Sequence, residues 1–325
     1  MELSIFVVDV FTNTQFKGNS AAVVPLHSWI SDELMQNIAY ENNLSETAFI
    51  KKITPNKFAI RWFSPLTEID FCGHATLASS FVLYNHYDVK GEIEFTTLEV
   101  GTLTVNQLSD NSIEMDFPNQ CPEQVYDIPA ALLDGLSIKP LQVLKNRQAY
   151  FVIFDDVKDV LNVTYQAHLL QLLAPYDLVV TASGAASSYE SDIMNIIESN
   201  SNSKIESTAE SIAQASVQDT NIYLNSDVAD SCIVDKHIAD YSVNLATDYD
   251  FVSRYFWPAN GGDEDPVTGS IHAGLAPYWA KVLNKNKLNA FQASARGGVL
   301  ICELKNQRVC ISGDAVLYLQ GKISV

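Results

Sequence analysis

No stretch of the chain reaches the roughly 18 uninterrupted apolar residues that a membrane-spanning helix needs. The apolar segment near the start follows Glu2 with no basic residue before it, which argues against a secretory leader, and the expected location is cytoplasmic. Cysteine is scarce and unpaired in pattern. Cys72, Cys121, Cys232, Cys302 and Cys310 are odd in number and show no C-x-x-C spacing, so neither a disulfide framework nor a zinc site is expected. Basic residues are few: 20 Lys and Arg stand against 39 Asp and Glu, for a formal charge of −19. Such a chain repels nucleic acid and anionic lipid, so neither is an expected partner. Gly261-Gly262 lacks the spacing of a dinucleotide or phosphate loop, so no nucleotide cofactor is indicated. His74 and His272 fall in different halves of the chain, and no cluster has metal-ligand spacing. The expectation is a protein without metal or cofactor.

What the chain does contain is one message written twice. Arg61-Trp62-Phe63-Ser64-Pro65 leads into Asp70-Phe71-Cys72-Gly73-His74-Ala75-Thr76, and Arg254-Tyr255-Phe256-Trp257-Pro258 leads into Asp265-Pro266-Val267-Thr268-Gly269-Ser270. Each segment reads as a strand, a polar turn and the start of an apolar helix. Unpaired N–H groups at a helix start favour an anion. If the halves face each other, a small acidic molecule fits between two positive helix ends. Gly101 and Gly297 follow Gly73 and Gly269 at equal separation, and each opens an alternating apolar run. A repeat on this scale points to two related domains with a cleft between them, since solenoid repeats are far shorter.

A length of 325 residues with 47% hydrophobic content suits two ordinary cores. Leu3 to Phe11 reads as a strand, Lys17-Gly18-Asn19 as a turn, Ala21 to Val24 as a strand, and Trp29 to Asn42 as a helix capped by Ser31. Asn43 to Ile50 passes from a polar turn to a β-prone run, which sets Glu46 at the mouth of a strand. Ser112 to Pro118 is a further strand, and the Pro118 to Pro122 stretch is the expected boundary. The domains are therefore read as 1–118, with 312–325 as the segment that would complete it, and 119–311. The second carries a Ser- and acid-rich insertion over about 183–248. Within it, Ser207-Thr208-Ala209-Glu210 offers a capping box; the insertion is open to readings as surface decoration, lid or oligomer contact.

The motifs together resemble the phenazine-biosynthesis PhzF-like isomerase family. They are VDVFTNTQFKGNSAAVV, NLSETAFI, IRWFSP, FCGHATLA, SRYFWPANGGDEDPVTGSIHAGLAPYW and ASARGG. The resemblance spans nearly the whole chain except the insertion. It implies an α+β, diaminopimelate-epimerase-like fold of two similar domains, each a curved sheet or barrel wrapped around a central helix, with the active site in the cleft between them. It also implies homodimers and cofactor-independent isomerisation.

On that resemblance, Glu46 of NLSET is the acid/base, and His74 and Asp265 are its partners around a small carboxylate substrate. A carboxylate at a strand mouth in a closed cleft suits proton transfer, because desolvation disfavours its charged form. His74 would donate to a substrate carboxylate or carbonyl, and the N–H groups of Gly73, Gly269 and Ser270 would hold negative charge. Asn19 and Ser45 are candidate substrate-binding liners, and Phe63 or Trp257 would give an apolar wall. Cys72 separates two chemistries, since related epimerases and racemases use one thiol before the glycine of each half-motif. The second half offers Asp265-Pro266-Val267 and no thiol. An epimerase using Glu46 with Cys72, and a non-catalytic small-molecule binder on the same scaffold, stand as the alternatives.

Overall fold

A computed structural model describes residues 1–184 and 248–325. Nearly all of the expected insertion, including the capping box at 207–210, lies outside the described residues. The first half runs β1 (Glu2–Val10), β2 (Asn19–Leu26), α1 (Asp32–Asn42), β3 (Glu46–Thr54), β4 (Lys57–Phe63), β5 (Glu68–Ile69), α2 (Gly73–His86), β6 (Ile93–Thr96), β7 (Thr102–Gln107) and β8 (Ile113–Pro118). It is followed by β9 (Glu123–Gln124), α3 (Ala130–Asp134), β10 (Gln142–Lys145), β11 (Ala149–Ile153), α4 (Val157–Asn162), α5 (Ala167–Leu170) and β12 (Asp177–Ser183). After the undescribed stretch come β13 (Phe251–Phe256), β14 (Glu264–Asp265), α6 (His272–Leu283), β15 (Lys287–Gln292), β16 (Gly298–Lys305), β17 (Arg308–Gly313) and β18 (Ala315–Ser324).

The strand pairing repeats. In the first half β3 lies parallel to β2 and antiparallel to β4, and β4 is parallel to β6 and folds back on β5. In the second half β12 lies parallel to β11 and antiparallel to β13, and β13 is parallel to β15 and folds back on β14. The registers match residue for residue. Ala21 faces Glu46 as Ala149 faces Asp177, Thr47 faces Phe63 as Leu178 faces Phe256, and Phe63 faces Glu68 as Phe256 faces Glu264. The chain crosses between the halves twice: after β8 it enters the second half as β9, which pairs with β10, and after β17 it returns as β18, which pairs with β1. Strand β17 joins β16 to β8, so the two halves share one continuous ladder. Gly101 and Gly297 both hold positive φ, 81° and 64°, a conformation open to glycine at little steric cost, where each chain turns into β7 or β16.

A helix buried on every side must be enclosed rather than laid on a surface. Helix α2 buries eleven residues spread around its circumference, from Gly73 to Tyr84, and α6 buries every residue from His272 to Ala280. Each is therefore the central helix around which its half-sheet curves. The polar positions of α2 are satisfied locally, because the hydroxyls of Thr76, Ser79 and Ser80 donate to the carbonyls four residues earlier. Outer helices cover the convex faces: α1 on β2 and β3, and α3 to α5 on β10 to β13. Strand β12 is thus buried on both faces, which accounts for its unbroken Leu178-Val179-Val180-Thr181-Ala182 run.

Two expected boundaries shift. Helix α1 starts at Asp32, because the Ser31 hydroxyl accepts from Leu34 N–H at 3.2 Å and ends the helix there. Trp29 stays outside it, under Lys51 and Arg61. In the second half-motif the helix begins at His272, so Gly269 and Ser270 sit in the tight turn that precedes it, with His272 N–H bonded to the Gly269 carbonyl.

The turn between β1 and β2 is held from the other half. Arg296 donates to the carbonyls of Gly18 (2.7 Å) and Lys17 (2.9 Å), to Ser20 Oγ (2.9 Å) and to Asp9 Oδ1 (2.8 Å). Asp9 is 2% exposed, so losing the guanidinium leaves a buried carboxylate with only neutral donors. Arg296→Leu is expected to cost about 2–4 kcal/mol, at the low side for a broken buried pair because the arginine is a third exposed. Urea unfolding checks this, and adding Asp9→Asn should recover part of the loss; an unchanged midpoint would contradict it.

Candidate active site

Where the two halves meet, a cavity of about 220 Å³ is lined by both half-motifs. Ser45, Glu46, Cys72, Gly73 and His74 come from the first half, and Asp177, Tyr255, Trp257, Asp265, Thr268, Gly269 and Ser270 from the second. The two motif turns approach closely. A Cβ added to Gly73 would stand 3.8 Å from the Ser270 backbone nitrogen. The first N–H groups of α2 have no partner within the helix, and the Gly269–Ser270 turn lies against them. An anion between the two turns would meet aligned donors from both sides.

Strand β3 begins at Glu46, so its side chain is delivered to the cavity at the strand's mouth. His74 Nε2 lies 2.8 Å from Glu46 Oε2. Oε2 is buried, and the His74 imidazole is the charged neighbour it faces. Burial works against the charged imidazole, but the neighbouring Cys72 and Glu46 and their hydrogen bonds outweigh it and hold His74 well above its ordinary range.

Asp265 stands on the opposite side. Its Oδ1 accepts from Asn19 Nδ2 at 2.9 Å and its Oδ2 from the Thr268 hydroxyl. Burial raises its pKa, with Glu46 adding to the effect and His74, Thr268 and Asn19 opposing it. The turn that carries it is fixed by buried Gln292, which donates to the Asp265 carbonyl (2.9 Å) and accepts from Thr268 N–H (2.9 Å).

Asn19 itself lies behind the cavity wall. It is 1% exposed, and the Nδ2 that reaches Asp265 also donates to the Val267 carbonyl at 3.0 Å and lies 3.4 Å from His74 Nδ1. It links His74 and Asp265 across the seam. Phe63 also departs from its expected place: it packs edge-on to Phe49 in the core under α1, whereas Trp257 does line the cavity.

Cys72 caps α2, with Sγ accepting from Ala75 N–H, and lies 3.4 Å from His74 Nδ1. Burial, with the Glu46 charge added, pushes its thiol up to about 11. Its counterpart before Gly269 is Thr268, a hydroxyl. The ligating atoms of Glu46, Cys72 and His74 lie within 4.8 Å of one another, a spacing that could hold a metal ion. A metal would have to displace both the Cys72 and the His74 proton from these raised groups. His272 is away from the cavity, fully buried, with Nδ1 2.9 Å from the Thr268 carbonyl and a pKa lowered by burial to about 4, so it is neutral.

Sequence reasoning missed Asp177, Tyr255 and Gln148. Tyr255 donates to Asp177 Oδ2 at 2.6 Å, and Gln148 Nε2 donates to Tyr255 Oη and Ser270 Oγ, both at 3.1 Å. The signal was present: Asp177 opens an apolar strand as Glu46 does.

A buried thiol at about 11 is nearly unreactive near neutrality. In a brief N-ethylmaleimide pulse, peptide mapping is expected to show exposed Cys121 labelled while Cys72, Cys302 and Cys310 are spared. Labelling of Cys72 as fast as Cys121 would contradict the protonated, buried state.

A family profile described as phenazine biosynthesis-like protein matches residues 8–194 and 182–321. An uncharacterised isomerase of Halalkalibacterium halodurans is 36% identical over 325 residues, covering 99% of each chain. Another from Pseudomonas aeruginosa is 36% identical over 323 residues, again covering 99% of each. The crystal structure of a PhzF-family protein from Enterococcus faecalis superposes with a TM-score of 0.77 at 35% identity, covering 100% of both chains. Two half-sheets that each enclose a helix, with a cleft between them, form a diaminopimelate-epimerase-like fold, and the chain belongs to the PhzC–PhzF family of phenazine biosynthesis-like proteins as an isomerase.

Proposed function

We propose that this isomerase needs no cofactor and moves a proton between carbons of a small carboxylate, with Glu46 as the acid/base. One observation carries the reading: Glu46, set at the mouth of β3, lines the cavity together with the two motif turns, and its buried Oε2 lies 2.8 Å from His74 Nε2. With Oε2 beside His74, Oε1 is the oxygen that would take the proton from a substrate C–H. The N–H groups of Gly73, Gly269 and Ser270 would take the substrate carboxylate.

In the proposed step Glu46 takes a proton from one carbon, and the electron pair left behind moves into the conjugated carboxylate. His74, kept cationic by Glu46, and the turn N–H groups offset the growing negative charge on oxygen. The protonated Glu46 then returns the proton to another carbon of the same system, so no oxidant or reductant is consumed. Asp265 and Asn19 hold His74 in place. Ser45 is a candidate contact at the mouth of the cavity. The reading carries with it the homodimer and cytoplasmic location that the family resemblance implies. A paired-thiol epimerase fits less well, since Thr268 stands where the second thiol would be and Cys72 keeps its proton.

Deuterium uptake from heavy water into a panel of small carboxylates, including amino acids and cyclic dienyl acids, tests the proposal by NMR. The native protein is expected to exchange hydrogen on at least one compound, and Glu46→Gln to slow that exchange by about 100-fold or more. Exchange that survives the substitution would overturn the assignment.

A further inference from the structure

The matched halves differ at the end of each barrel that lies away from the cleft. The registers and motif glycines that pair Ala21 with Ala149, Glu46 with Asp177 and Gly73 with Gly269 also pair Ser4 with Gln142, Ile50 with Thr181, Phe58 with Phe251 and Leu83 with Trp279. The match holds to the helix ends, where Asp88 and Asn284 both take a φ of 52°. In the second half these positions close on one ring. Trp279 is fully buried, and its Nε1 donates to Thr181 Oγ1 at 3.0 Å. The indole stacks on Phe251 with centroids 6.0 Å apart and planes at 15°. Beside it, the Tyr278 hydroxyl donates to Gln142 Oε1 at 3.0 Å.

In the first half a leucine stands in place of that tryptophan, and the space beside it is a cavity of about 290 Å³. Ser4, Ile50, Phe58 and Leu83 all line it. Phe95 stands where the second half has Ala290 and packs on Phe58 at 6.3 Å, which restores part of the volume, but it does not line the cavity. An apolar cavity of about 150 Å³ already admits a benzene ring. The rim differs in charge as well. Lys52 and His27, both exposed, line it where the second half has Ser183 and Asp155. Among the described residues neither forms an ion pair, and the one acid on the lining, Glu2, is held by Lys322 at 3.0 Å. In a chain of charge −19 such a rim is an exception.

We infer that this cavity is a second binding site, separate from the cleft, for a small aromatic carboxylate. The ring takes the place that Trp279 holds in the other half and lies on Phe58. The carboxylate reaches Lys52 at the rim, with His27 as a further hydrogen-bond partner. A neutral ring would leave the lysine unanswered, an aliphatic acid would forgo the stacking, and a cationic ring would meet Lys52 with no free acid nearby. The site is remote from the proposed chemistry: Glu46 opens β3, and Lys52 stands near the other end of the same strand, about 20 Å away. Nothing in it depends on the acid/base role proposed for Glu46.

Titration of indole-3-acetate into protein with labelled isoleucine and leucine methyl groups, followed by NMR, tests it. Ring-current shifts are expected at the Ile50 and Leu83 methyls. Indole-3-acetamide, which keeps the ring without the charge, is expected to bind about fivefold more weakly. Lys52→Ala, at an exposed position, should weaken the acid by a similar factor and leave the amide unchanged. Leu83→Trp combined with Ile50→Thr, which copies the second half, should abolish binding of both, with thermal unfolding as the check that the variant folds. If it does not fold, the amide and Lys52→Ala decide. Absent shifts at Ile50 and Leu83, equal affinity for acid and amide, an acid affinity unmoved by Lys52→Ala, or binding retained in the folded double variant would overturn the inference. Because the readout is binding away from the cleft, its failure and the failure of the Glu46 reading come from different experiments.

Discussion

Everything in the cavity depends on holding charges of both signs in a small space between two motif turns. Glu46 at the start of β3, His74 in the first turn of α2 and Asp265 at the end of β14 are brought together there. His74 is buried there and Glu46 and Asp265 are part-buried, so each charge responds strongly to its neighbours. Cys72 and Glu46 beside His74 raise its pKa, and His74, Thr268 and Asn19 oppose the rise that burial gives Asp265. Asn19 is the small part on which this turns. It reaches from β2 of the first half to Asp265 and Val267 of the second, so the distance between the halves and the arrangement of the charges are fixed together. Arg296 performs the reverse reach and braces the turn from which Asn19 emerges.

A repeated scaffold explains how such a site forms. Each half delivers a carboxylate at the mouth of a parallel strand, an aromatic residue beside it and a glycine turn above it. Identical halves would face each other with equal charge. The substitutions between them break that equality: cysteine against threonine, histidine against serine, glutamate against aspartate, tryptophan against tyrosine. The first side thereby becomes an acid paired with a cation, and the second an acid braced by neutral donors. Bidentate pairs hold the hairpins of both sides alike, Arg61 with Glu68 and Arg254 with Glu264. The scaffold is kept constant while the groups on the wall diverge.

Much of this was legible in the chain. The doubled R-x-F motif and its glycine turns announced two half-sites, and the polar turn before the apolar 46–50 run announced a strand opening at Glu46. Less legible was anything that depends on which strand lies beside which. Asp177 and Glu46 are far apart in sequence, and only the matched registers reveal them as counterparts. Asn19 sits in a polar turn whose side chain reads equally as a liner or a brace, and its contacts across the seam to Asp265 and Val267 appear only in the fold. Phe63 has the composition of a cleft wall, yet strand alternation turns it toward α1. The start of α6 at His272 instead of Gly269 reflects a tight turn closed by backbone bonds, which side-chain pattern does not encode.

The central claim is that Glu46 and His74 form a coupled pair in which the imidazole is cationic at neutral pH. NMR titration of ¹³C-labelled histidine, with His74 assigned by substitution, measures it directly. The account predicts that His74 titrates well above the ordinary histidine value of about 6.5 and falls back toward it in Glu46→Gln. A His74 that titrates at or below that value in the native protein, or that is unmoved by the substitution, would contradict it.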